Sequence, residues 1–266
     1  MSEVLPFQPH RFHTSAQHYR GGRAPYPPAL IRRAAAAVGL SDYHRVLDLG
    51  CGPGPLAIGF GYFAGAVIGL DPEPAMLAAA EQAAAGLVPN VSFRQGSSYD
   101  LTPDLGPFRL VTMGRSFHWM DRAATLLALD GMIEPGGAVA LFKDSHLPVP
   151  ENDWTKDVLA LTDAYTAQDG HHRTLRSETW EPHEALLLAS PFCALETVSV
   201  IGRQSLTAEV LVERTLSKSS TSPEKLGDET ATLIAQLHAL FERIAPGGRL
   251  TEVIAWTALI ARRPQG

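Results

Sequence analysis

The 266 residues are 45% hydrophobic and 19% charged, with a formal net charge of −6. That balance excludes a disordered or membrane-embedded chain and offers no overall attraction to nucleic acid phosphates. Two cysteines, Cys51 and Cys193, are too few for a disulfide framework or a zinc cluster. No metal is expected, and no run of 18 apolar residues offers a membrane span. Met1–Gln8 lacks a basic stretch ahead of an apolar core, so no secretory leader is expected and the protein is expected to be cytoplasmic.

In chain order, the pattern predicts a helix over Pro28–Val38 closed by Gly39, then a strand over Arg45–Leu49. A glycine-rich turn and a second helix follow. A strand over Ala66–Leu70 ends at Asp71, and Pro74 suits the first position of a helix over Ala75–Ala85, with Gly86 as its stop. Strands are predicted at Val91–Gln95 and Phe108–Met113. Asp121 is placed as the N-cap of a helix reaching Asp130, and Pro135-Gly136-Gly137 as a turn into a strand over Ala138–Phe142. Strands alternating with helices imply an α/β fold whose parallel sheet is covered on both faces.

The second half reads differently. Prolines punctuate 143–191 around a helix near Trp154–Ala167. A strand is predicted at Leu195–Ile201 and helix through most of 206–245, with Leu233, Ile234, Leu237, Leu240, Phe241 and Ile244 on one stripe. After Pro246-Gly247-Gly248 a last strand covers Leu250–Ala261. No repeat and no convincing linker appears, so 1–266 reads as a single domain with insertions at about 143–192 and 204–249. Trp154, Val158, Leu161 and Tyr165 share a helix face that favours core packing over a substrate wall. His171-His172-Arg173 reads as a solvated loop.

The chemistry concentrates at Val46–Gly54, Val-Leu-Asp-Leu-Gly-Cys-Gly-Pro-Gly, and at Asp71. Glycines let backbone approach a ligand, and an acid at the tip of the next strand accepts from ribose hydroxyls. A dinucleotide fingerprint wants a third glycine where Pro55 stands, and Asp48 is a poor neighbour for a pyrophosphate. Asp48 suits a ligand with an ammonium or sulfonium group instead.

The string Asp48–Gly54 resembles motif I of class I S-adenosylmethionine-dependent methyltransferases. His18–Pro27, Phe117–Asp121, Leu206-Thr207 with Lys218–Pro223, and Ala261–Pro264 resemble a small-molecule subgroup that includes trans-aconitate methyltransferase relatives. The resemblance implies a Rossmann-like, seven-stranded, mostly parallel sheet whose last strand is antiparallel, with a helical lid formed by the insertions. It implies S-adenosylmethionine as cofactor and S-adenosylhomocysteine as product. Gly50, Cys51 and Gly52 would present backbone to the methionine portion, Asp48 would lie near its ammonium, and Asp71 would hold the ribose. Pro72 and Met76 would flank the adenine. Many family members carry an acid where Ser97 stands; Ser98 would offer its amide to the ring and Tyr99 could stack on it. Gly114 and Arg115 would line the methionine end, and Tyr19 would reach the cofactor carboxylate, unless it and Arg23 simply pin the N-terminal arm. Cys51 is expected to be a small buried residue rather than a nucleophile.

Methyl transfer from a sulfonium is an in-line displacement, so placing the acceptor supplies much of the rate. His118 is the candidate base, against a structural alternative in which it packs with Trp119. Arg115 is the candidate partner for a substrate carboxylate, against a salt bridge to Asp121 or to a lid acid. Net negative charge and the expected lid favour a small, enclosed acceptor, with no nucleic acid and no membrane as partner. An extended N-terminal arm leaves room for a homodimer. Two other readings stand beside this one: a cofactor-binding homologue that does not methylate, such as a cyclase, and a nicotinamide-dependent oxidoreductase.

Overall fold

A computed structural model describes residues 16–264 except 168, 171–173 and 175–176. The Met1–Gln8 and His171–Arg173 readings therefore lie outside the described residues. Seven strands form one sheet: β1 (Arg45–Leu49), β2 (Ala66–Asp71), β3 (Val91–Gln95), β4 (Phe108–Gly114), β5 (Ile133–His146), β6 (Ala194–Leu206) and β7 (Leu250–Arg262). Their order is β3-β2-β1-β4-β5-β7-β6. β1 through β5 pair in parallel, and β7 runs antiparallel between β5 and β6.

Alternation along the strands sends side chains to two cores. Val46, Val67 and Leu110 pack with Leu30, Ile31 and Ala34 of α2 (Pro28–Ala37) and with Leu56 and Phe60 of α3 (Pro55–Gly61). On the other face Leu47, Leu49, Val111 and Val139 meet Leu126 and Leu129 of α5 (Arg122–Asp130) and Leu187 of α7 (His183–Leu188). Central β1 is buried on both faces, which is why its sequence reads as an apolar run interrupted only by Asp48. The remaining crossover helix, α4 (Pro74–Ala84), starts at Pro74 as expected, and Asp121 caps α5 by accepting from the Ala124 amide at 3.1 Å.

β6 runs longer than expected, Ala194–Leu206 against Leu195–Ile201, and two further departures have local causes. β5 begins at Ile133, because Pro135-Gly136-Gly137 forms a bulge inside the strand rather than a turn before it; the pairing to β4 skips between Phe108 and Leu110, and Gly136 has φ +76°. The helical stretch after β6 divides into α8 (Ala208–Leu216), α9 (Pro223–Leu226) and α10 (Glu229–Ile244), since Pro223 and Gly227 interrupt it.

α6 (Trp154–Thr166), α8 and α10 enclose a third cluster containing Trp154, Val158, Leu211, Leu233, Leu237 and Phe241, with Leu161 and Tyr165 packed against it. The α6 face is thus core, as its spacing favoured. Strands β5 and β7 continue their pairing past the edge where β4 ends, through His146 opposite Ile254, and carry this cluster beyond the sheet. α1 (Ala16–Gly22) packs on α8. No helix among the described residues is long and apolar enough to cross a membrane.

Candidate active site

A cavity of about 470 Å³ opens at the carboxyl ends of β1 to β5, the crevice where open α/β sheets bind ligands. Its floor is the turn after β1. Gly50, Gly52 and Gly54 have φ of +68°, +53° and +78°, the left-handed region that glycine enters without strain. The turn spends its amides internally: Gly50 and Cys51 both donate to the Leu70 carbonyl, at 2.8 and 2.9 Å, and Gly52 donates to Asp71 Oδ2 at 2.8 Å. What the turn offers a ligand is room. A Cβ on Gly50 would lie 2.6 Å from Ser116 Cβ, whereas one on Gly52 would meet nothing within 4 Å and would enter the cavity.

Asp71 is aimed by two backbone donors, Gly52 on Oδ2 and Glu73 on Oδ1, the latter at 2.9 Å. It is only 8% exposed, and burial pushes its carboxyl up to about 6 against those two stabilising bonds. Pro72, Met76, Ser97, Ser98 and Tyr99 line the same side of the cavity. The Ser97 hydroxyl already donates to Asp100 at 2.8 Å and accepts from the Tyr99 amide at 3.2 Å, so it serves first to cap its own turn.

Two residues expected beside the cofactor do not line the cavity. Asp48 is 1% exposed and faces α3 and β4: it accepts from the Ala57 amide at 3.0 Å and from the Thr112 hydroxyl at 2.8 Å. Period-two alternation turns it away from the crevice, and burial without a cation raises its carboxyl to about 7. Cys51 is also buried, and its thiol is pushed up by burial and then by Asp48 and Asp71, the environment of an inert cysteine.

The opposite wall comes from the ends of β4 and β5. Gly114 is closely packed: a Cβ there would lie 2.7 Å from Leu56 Cδ1 and 3.1 Å from the Tyr26 hydroxyl. Arg115 follows with φ +57°, left-handed for a residue with a side chain. Its guanidinium pairs with Asp144 on β5 at 2.7 Å, and lies 4.7 Å from the Tyr26 ring centroid and 5.8 Å from that of Tyr19. The acid that takes Arg115 is therefore Asp144 rather than Asp121, which caps α5. Arg23 stacks on Tyr19 at 5.5 Å and donates to the Ser217 carbonyl at 3.3 Å, tying the N-terminal arm to the end of α8. His118 sits in a single turn, Phe117–Trp119, on the cavity wall with its ring tilted against Trp119 at 5.0 Å.

The wall also holds Ser116, Lys143, Asp144, His183, Lys218, Ser219 and Ser220. Asp144 had a usable signal, because it stands two residues past the strand predicted to end at Phe142. Lys218–Ser220 entered only as part of a resemblance. His183 had no signal; it arrives from a connection between β5 and β6.

The residues present fit a nucleoside with a flexible polar tail: an acid fixed for a ribose, a glycine that leaves space, and Met76, 3% exposed, at the wall near Asp71. Residues 46–137 match a family model described as a methyltransferase domain. An uncharacterized methyltransferase of Mycobacterium tuberculosis is 25% identical over 240 residues, 88% of each chain. The trans-aconitate 2-methyltransferase of Methylobacterium nodulans is 34% identical over 120 residues, 44% of this chain and 45% of that protein. Among solved structures, methyltransferases from Thiobacillus denitrificans and Geobacter sulfurreducens, both in complex with S-adenosyl-L-homocysteine, share the fold. Their TM-scores are 0.55 and 0.54 at 18% and 19% identity; the match covers 98% of this chain in each case and 100% and 99% of theirs. The match of residues 46–137 spans the turn after β1 and the acid ending β2, which line one side of the cavity, so this part of the chain is a methyltransferase domain, similar to those of class I S-adenosylmethionine-dependent methyltransferases.

Proposed function

We propose that the methyl acceptor is a small molecule bearing a carboxylate. The observation that carries this reading is the split of charge across the cavity. Asp71 stands at the β2 end, and Arg23, Arg115, Lys143 and Lys218 line the β4–β5 end, where Arg115 pairs with Asp144 and Lys143 with Glu184. Four cations with two carboxylates, Asp144 and Glu184, give that end an excess of positive side chains inside a protein whose net charge is −6. Such a pocket selects an anionic ligand over a neutral one. The trans-aconitate 2-methyltransferase among the relatives is consistent with this class of acceptor.

S-adenosylmethionine, when bound, supplies the electrophilic methyl group. The protein's own task is placement. Asp71 accepts from the ribose, Gly52 leaves the space the tail needs, and Tyr19 with Arg23 closes the arm over the crevice. The insertions around α6 to α10 cover the site and exclude water, which strengthens each charge–charge contact inside. His118 accepts a proton from the acceptor where the nucleophile carries one; a carboxylate oxygen carries none and needs only alignment.

The test is a panel of di- and tricarboxylic acids, their amides, phenols and amines with labelled S-adenosylmethionine. Acids are expected to be methylated, and their amides at least about tenfold less efficiently, the loss of one charge-assisted hydrogen bond. Arg115→Ala should shrink that discrimination. Equal rates for acids and amides in the unaltered protein would remove the carboxylate reading. His118→Gln should lower turnover more than about tenfold on any acceptor that must lose a proton, with S-adenosylhomocysteine affinity unmoved. Unchanged turnover there would assign His118 to packing.

A further inference from the structure

Arg122 is the first residue of α5 and is only 3% exposed, an unusual setting for a guanidinium outside the positive cluster described above. It lies over the Trp180 ring, 3.7 Å from the centroid, and Nη1 donates to the Glu181 carbonyl at 2.7 Å. The same Nη1 stands 3.2 Å from His183 Nδ1, and Nη2 is buried with no partner among the described residues. A guanidinium has donors only, so His183 Nδ1 must accept, and the single ring proton of a neutral imidazole then sits on Nε2. Phe117 meets the ring edge-on, centroids 5.1 Å apart at 61°, and so fixes its plane. His183 lines the cavity; among the described residues Nε2 has no hydrogen-bond partner and is not one of the buried polar atoms, so it is open to that space.

We propose that His183 is the hydrogen-bond donor that receives an oxygen of the methyl acceptor, and that Arg122 is the positioning residue that fixes its Nε2–H tautomer. The inference rests on the acceptor reading above and extends it, by naming the group that orients the acceptor's oxygen. With its proton already on Nε2 and Nδ1 occupied, His183 has no vacant nitrogen for a proton from the acceptor. The charged groups near His183 are Arg122, Lys143 and Glu184, the last two paired at 3.5 Å. Burial first and Arg122 next push its imidazole down to about 4, so it stays neutral throughout the range in which enzymes of this kind work.

The experiment combines a spectrum with kinetics. Nitrogen-15 spectra of the histidine rings, taken with S-adenosylhomocysteine and with trans-aconitate as the probe acid, should show His183 as the neutral Nε2–H form from pH 5.5 to 8, and its Nε2 signal should move on adding the acid. In Arg122→Leu the ring should become a tautomer mixture that protonates at a higher pH than in the unaltered protein, and Arg122→Lys, which still has only donors, should keep more of the Nε2–H form, a graded change that simple loosening of α5 would not produce. His183→Leu should raise KM for the acceptor about tenfold or more with KM for S-adenosylmethionine within about twofold, and His183→Gln, which keeps an N–H at similar reach, should recover most of it. An imidazolium or an Nδ1–H ring in the unaltered protein would overturn the inference, as would an unchanged acceptor KM in His183→Leu. Failure of every acid in the panel would instead overturn the carboxylate reading, and the tautomer measurement would still decide the role of Arg122.

Discussion

The two walls of the cavity are built by different means. The β1–β3 side, from Gly50 to Tyr99, comes from one short stretch of chain and is held by backbone hydrogen bonds: Gly50 and Cys51 to Leu70, Gly52 and Glu73 to Asp71. The β4–β5 side assembles Tyr19, Arg115, Asp144, His183 and Lys218 from segments far apart in sequence, held by side-chain pairs such as Arg115–Asp144. Backbone geometry tolerates sequence change as long as glycine stands where φ is positive, so the cofactor side is constant in form. Side-chain pairing can be rewritten one residue at a time. On the reading proposed above, acceptor choice falls to the far wall.

The largest effect expected from testing this contrast lies behind the far wall. Glu252 on β7 is wholly buried and accepts from Arg214 of α8 at 2.5 and 2.8 Å, from His146 at 2.9 Å and from Gln204 at 2.7 Å. Arg214 also donates to the Gly22 carbonyl at 3.0 Å, so one carboxylate anchors both α8 and the N-terminal arm. Glu252→Ala should cost about 3–5 kcal/mol in urea unfolding, because the buried guanidinium loses its partner. These hydrogen bonds hold the Glu252 carboxyl down at about 2 despite burial. Its stabilising contribution is therefore full above about pH 4.5 and lost as pH falls toward 2, a dependence that the variant should lack.

On the near wall, Gly52→Val should weaken S-adenosylhomocysteine binding about 100-fold by calorimetry, since its side chain would fill space the ligand needs. Stability should fall by only about 1–2 kcal/mol, the cost of a left-handed residue. Equal binding by this variant would show that the open space beside Gly52 is not the cofactor's. A smaller effect concerns Asp71. Burial pushes its carboxyl up to about 6, so if the ionised form accepts from the ribose, affinity should drop about tenfold as pH falls from 7 to 5. A flat profile would mean that Asp71 does not meet the ligand in its charged form.

The smallest change is expected at Asp48. Raised to about 7, this carboxyl contributes stability that is full below about pH 4 and lost as pH rises through 7, opposite in sign to Glu252. Asp48→Asn keeps an oxygen for the Ala57 amide and should alter stability by less than about 1 kcal/mol near pH 4, where the acid is itself neutral, while flattening the decline above that pH. A cofactor affinity unchanged in Asp48→Asn would match its place outside the cavity; a tenfold loss would return it to the ligand.

Much of this molecule was legible before any coordinates. Strands β1 and β3 begin and end at the expected residues, and Pro74 and Asp121 start their helices where local chemistry requires. Each of those features depends on neighbours within a few positions: alternation for a strand, a cap for a helix, glycine for a positive φ. The errors are of another kind. Asp48 was legible as an acid beside the glycines, but the face it takes depends on the register of β1 against β4 and on α3 behind it. The Pro135–Gly137 turn proved a bulge because β4 supplies a partner on both sides of it.

By itself, then, the amino-acid order determined a parallel sheet, a glycine turn with an acid at the tip of the next strand, and hence the expected cofactor class. Only tertiary structure decided that Arg115 belongs to Asp144, that Asp48 faces away from the crevice, and that Arg122 reaches His183 across 61 positions. The physical reason is range. Backbone conformation answers to adjacent residues, whereas the partner of a long charged side chain is whichever group the folded sheet and its insertions bring within 3 Å or so, a distance no local pattern encodes.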